Sequence, residues 1–97
     1  MTPEEFKSLT DPELPNSTDG KLLKALWHDG QGDWDAAHNI AQDIPGQDGA
    51  WVHAYLHRKE GDEWNANYWY TKAGKNMPKD TLAVEWQHIV EAFLSRL

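Results

Sequence analysis

The chain contains no cysteine, which removes disulfides, thiol nucleophiles and every zinc site built on thiolates, and fits a reducing compartment. It also lacks any apolar run near the roughly 18 residues that a membrane helix requires, and its first residues, MTPEEFKSL, hold no apolar signal-peptide core. Both absences lead to the expectation of a soluble, cytoplasmic protein. Basic residues are scarce: nine Lys and Arg stand against sixteen Asp and Glu, for a net charge of −7. A field of that sign repels phosphate backbones and anionic headgroups, so neither nucleic acid nor a membrane surface is an expected partner. No stretch alternates polar and apolar residues for long enough to make a strand, which leaves an all-α fold. A glycine-rich phosphate loop is missing too, because DGQGD at 29–33 lacks the lysine and the preceding strand. No Ser or Thr sits in a nucleophile motif.

What is present is helical punctuation. With 97 residues the chain supports one domain and one core. Only 39% of the residues are apolar and six are Trp, so aromatic packing is expected to dominate the interior. Thr2, Pro3 and Glu5 read as a capping box opening a short helix to about Leu9. The segment TDPELPNSTDG reads as a loop, so residues 1–18 form a short helix and loop ahead of a helical hairpin domain at 19–97. A second helix over Asp19–Asp29 aligns Leu22, Leu23, Leu26 and Trp27. Asp33 caps a third, WDAAHNIAQDI, with Trp34, Ala37, Ile40, Ala41 and Ile44 on one face. Asp48 is expected to cap a fourth, Ala50–Glu60, striped by Trp51, Val52, Tyr55 and Leu56. The fifth runs from the cap Asp62 to Gly74, with Ala66, Trp69, Tyr70 and Ala73 on one side and Trp64 and Tyr68 on the other. A final helix carries Leu82, Trp86, Ile89, Val90, Phe93 and Leu97 and is expected to cap the last hairpin.

One pattern repeats. GDWDAAHNIAQDI from Gly32 and GDEWNANYWYTKA from Gly61 each open on Gly-Asp, place a Trp within two positions and an Ala five residues after the Gly, at an offset of 61 − 32 = 29 residues. Periods of that size mark arrays of helical hairpins. The chain here resembles the tetratricopeptide and Sel1-like repeats, most closely in GDEWNANYWYTKAGKNMP, where Ala66, Tyr70, Ala73 and Pro78 fall on that family's small, aromatic, small and proline positions. The likeness covers Leu22 to Pro78. It implies five to six helices built as two antiparallel hairpins with a C-terminal capping helix. It further implies a non-enzymatic role, as a module that binds a protein or peptide in a groove between hairpins; a second copy of the chain is one such partner, because two repeats leave an unfinished layer.

Several side chains could carry a site. His53 and His57 lie four apart on one helix, side by side, as two imidazoles on a helix are offered to one metal ion. The competing reading makes them boundary histidines that hydrogen-bond to a neighbouring helix or to water. The Glu of a metalloprotease motif is absent between them. His28, beside Asp29, and His38 are further ligands if the first hairpin packs its open edge on the second. Arg58 and Glu60 form a polar floor able to grip a carboxylate, or else a solvated pair. Trp64, Tyr68 and Trp69 make an aromatic platform for a ligand, although burial between helices is the expectation in so small a domain. The leading expectation is thus an interaction module without a cofactor, with His53, His57, Arg58, Glu60, Trp64 and Tyr68 around its groove. The alternative is a protein that binds a divalent metal such as zinc, or a small ligand with possible hydrolytic chemistry, through His53, His57, His28 and His38.

Overall fold

The protein is described here over residues 1–97 in a computed structural model. Six helices and no strand make it all-α: α1 Pro3–Lys7, α2 Thr18–Gly30, α3 Trp34–Ala41, α4 Gly46–Lys59, α5 Glu63–Ala73 and α6 Leu82–Leu94. No helix is long and apolar enough to cross a membrane. Local chemistry sets most boundaries. Thr2 and Glu5 close the capping box on α1, and Asp33, Asp62 and Thr81 each accept the N–H three residues on, satisfying donors that a helix start leaves orphaned.

The two Gly-Asp corners are the same piece of geometry. Gly32 and Gly61 sit at φ 87° and 86°, a region that costs glycine nothing and other residues strain. Past each, the Asp N–H reaches back to a histidine carbonyl, Asp33 to His28 at 2.9 Å and Asp62 to His57 at 3.0 Å. Each corner folds the chain into an antiparallel pair, α2 with α3 and α4 with α5, and the pairs stack chiefly through α3 on α4.

Some boundaries differ from the sequence expectation. The second helix begins at Thr18 under a Ser17 cap, and the fourth begins at Gly46 with no side-chain cap. Asp48 lies inside the first turn of α4 rather than at its cap, and its carboxylate pairs with Arg96 at 2.8 Å. The third helix stops at Ala41, short of Ile44. Leu97 lies beyond α6 and is exposed. Nor does α6 cap the α4–α5 hairpin. It packs on α1, α2 and α4, and meets α5 through the hydrogen bond from Tyr70 to Glu85. The reason is complementarity: Ile89, Val90 and Phe93 share one core with Leu22, Leu23, Leu26, Val52 and Leu56, whereas the outer face of α5 offers nothing aliphatic.

That core is also less aromatic than composition suggests. Of the Trp residues only Trp86 is buried. Three indole N–H groups instead donate to backbone carbonyls, Trp27 to Leu9, Trp34 to Leu56 and Trp86 to Leu26, at 2.8–3.0 Å. A ring that must satisfy its N–H sits best where one edge is apolar and the other meets a backbone carbonyl. Phe6 is fully buried in the same core, which ties α1 to the main body. A smaller cluster, Ala54, Ala66 and Tyr70, lets α4 and α5 approach closely because two of its members are only methyl groups wide.

Two carboxylates are buried with their partners. Asp29 accepts from the Tyr55 hydroxyl at 3.0 Å and from Lys59 at 2.8 Å. Glu85 accepts from Tyr70 at 2.6 Å and from Arg58 at 2.9 Å. Burial, followed by the neighbouring carboxylate, pushes both tyrosine hydroxyls up from their ordinary value, so they stay protonated and donate. Removing one member of a buried pair strands the other, at about 3–5 kcal/mol. Arg58→Ala is expected to lower unfolding free energy by about that much, read from urea denaturation followed by far-UV circular dichroism. Glu85→Gln, which keeps an acceptor for Tyr70, is expected to cost less.

Candidate metal centre

Stacking α3 on α4 brings His38 to His53 and His57. The ligand nitrogens of the three imidazoles lie within 4.8 Å of one another, and His38 Nε2 is 3.0 Å from His53 Nε2. At that distance one ring donates its N–H to the lone pair of the other, and the two cannot both be protonated. His53 and His57 stack, with ring centroids 4.8 Å apart, as the i, i+4 spacing requires. The third ring depends on tertiary structure. His38 arrives only because Trp34, one turn earlier on α3, donates to the Leu56 carbonyl at 2.8 Å and pins the two helices together.

Indoles wall the triad on two sides. Trp34 stacks on His38 at 4.8 Å, and Trp69 of α5 stacks on His53 at 4.0 Å. Beyond His57, Glu60 binds Nδ1 at 2.7 Å. A carboxylate on one ring nitrogen fixes the orientation of the imidazole, the arrangement seen behind a ligating histidine. Asp62 stands near His57 and Glu60 but is committed to capping α5, where it accepts from the Asn65 backbone and side chain. Those hydrogen bonds hold its carboxyl below its usual range.

The other residues singled out by sequence fall elsewhere. His28 is outside the triad; its ring lies edge-on to Trp27. Arg58 and Glu60 do not make a common floor, because Arg58 is spent on Glu85 and on the Asp80 carbonyl while Glu60 serves His57. Trp64 and Tyr68 are not sandwiched between helices. They stack on each other on the open side of α5, 75% and 46% exposed, while Trp69 turns inward to His53. Trp34 is the functional residue that sequence reasoning left as core, although its four-residue spacing from His38 was legible. Compared with known proteins, the chain matches no family model, no curated protein and no solved structure.

Burial dominates the protonation chemistry of the triad. It pulls His53 down to about 4 from an ordinary value of 6.5, aided by the charges of His38 and then His57. His38 is lowered for the same reason, burial first and His57 second. Because these folded values lie below those of the unfolded chain, the unfolded state takes up the extra protons as pH drops from about 6.5 to about 4, and stability falls with it. We expect the urea midpoint of the metal-free protein in chelator to fall between pH 7 and 4.5, and the fall to be smaller in His53→Gln.

Proposed function

We propose that the protein binds a divalent transition metal, zinc first among them, through His38, His53 and His57. The observation that carries this reading is the meeting of three imidazoles from two separate hairpins, one of them with its Nδ1 already held by Glu60. Imidazole nitrogens bind zinc at about 2.0–2.1 Å, so two tetrahedral ligands stand roughly 3.4 Å apart. The His38–His53 pair, at 3.0 Å, needs only to open slightly, and the widest pair closes from within 4.8 Å. Neutral imidazole is the ligand form, and the apolar indole walls limit the water that competes for it. Three protein ligands leave a fourth position for water or a small ligand.

Untagged protein is expected to take up one zinc per chain by isothermal titration and to melt at higher temperature with zinc than with chelator. Alanine at His38, His53 or His57 removes the binding, His28→Ala leaves it intact, and Glu60→Gln weakens it by about 10- to 100-fold. Zinc-independent melting of stoichiometrically metal-free protein would overturn the reading.

A second reading, the interaction role, is favoured by the outer face of α5. That helix packs chiefly on α4 and presents the Trp64–Tyr68 stack to solvent. The occupant this reading assigns is a second copy of the chain, which presents the same exposed aromatic stack. Sedimentation velocity is expected to show a concentration-dependent dimer that Trp64→Glu returns to monomer. A wild-type chain that stays monomeric at high concentration excludes this role for the face.

A further inference from the structure

Of the clefts on the surface, one touches the triad. It encloses about 370 Å³ between the end of α3, the first turn of α4 and the inner side of α5, and its lining includes His53, Trp69, Gln42, Gln47, Ile44 and Lys72. Gln42 stands one turn beyond His38 on the chain, and of the triad His53 alone lines the cleft. His53, 7% exposed, is where cleft and triad meet. The far end of the triad is closed differently, by Glu60 on His57 and by Trp34.

The cleft carries positive charge. In a chain with sixteen acidic residues, no carboxylate lines it and one ammonium does. Lys72 is held at the rim, its Nζ 5.1 Å from the Tyr68 ring centroid and 5.9 Å from that of Trp69, by contacts that leave its hydrogen-bond donors free. The two Gln amides add neutral donors, and the first turn of α4, which has no side-chain cap, contributes backbone N–H groups. The apolar part of the lining is Trp69, beside Lys72 on α5, and Ile44. A ligand that matches both parts has an anionic head and a short hydrocarbon body. Inorganic phosphate would leave the apolar part unused.

We infer that this cleft admits a small aliphatic carboxylate, its tail along Trp69 and Ile44 and its head directed to Lys72 and to the fourth position of the metal. The inference rests on the metal reading above. Full-length untagged protein loaded with cobalt(II) reports both steps, because the visible bands of the ion respond to a change of ligand. Addition of butyrate up to about 50 mM, where a millimolar affinity saturates, is expected to shift those bands. Butyramide is expected not to, and Lys72→Met is expected to weaken the butyrate response about five-fold with cobalt affinity unchanged. Lys72 is exposed, so the variant retains the fold. Stoichiometric cobalt with no response to butyrate overturns the cleft inference alone. An undiminished response in Lys72→Met, or an equal response to butyramide or inorganic phosphate, also overturns it. Failure to bind cobalt at all overturns the metal reading and this inference with it.

Discussion

Two carboxylates inside a small core constrain everything around them. Asp29 and Glu85 are 2% and 3% exposed, and an ionised group so placed must be met by opposite charge and hydrogen bonds or be displaced. Both are met by α4. Tyr55 and Lys59 answer Asp29 on α2, and Arg58 answers Glu85 on α6, with Tyr70 of α5 completing the second set. One helix is thereby fixed in rotation against both α2 and α6. With α4 so locked, the remaining edge of the helix, where His53 and His57 lie, has one direction left to face, toward α3.

The same constraint gives the histidine cluster its definition. A pair of imidazoles on an isolated helix would sample many rotamers, and ordering them would cost entropy. Here His53 is pressed by Trp69, His57 is tethered by Glu60, and His38 is stacked on Trp34. The rings are ordered by packing before any ligand arrives, which is what preorganisation of a binding site means physically.

What could be read from residues alone was whatever depends on near neighbours in the chain. The helix caps Thr2, Asp33 and Asp62, the matching Gly-Asp corners and the adjacency of His53 to His57 all follow from spacings of three to five residues. What could not be read depends on how rods cross. The arrival of His38, the burial of Asp29 and Glu85, the complete enclosure of Phe6 and the docking of α6 on α2 rather than α5 are tertiary outcomes. Tryptophan misled for a specific reason. Its size argues for the interior, but its N–H seeks a carbonyl, and those of Leu9, Leu26 and Leu56 each hold one ring by its polar edge. Asp48 misled likewise: α4 starts two residues before it, and its carboxylate pairs with the distant Arg96.

The seating of α5 has a bearing on the cluster. That helix is held on α4 by Ala66, Ala73 and the buried Tyr70, whose hydroxyl also reaches Glu85 of α6, and it carries Trp69 onto His53. The triad therefore takes its two indole walls from different hairpins, Trp34 from the first and Trp69 from the second, so any shift in how the hairpins stack is felt on both faces of the imidazoles at once.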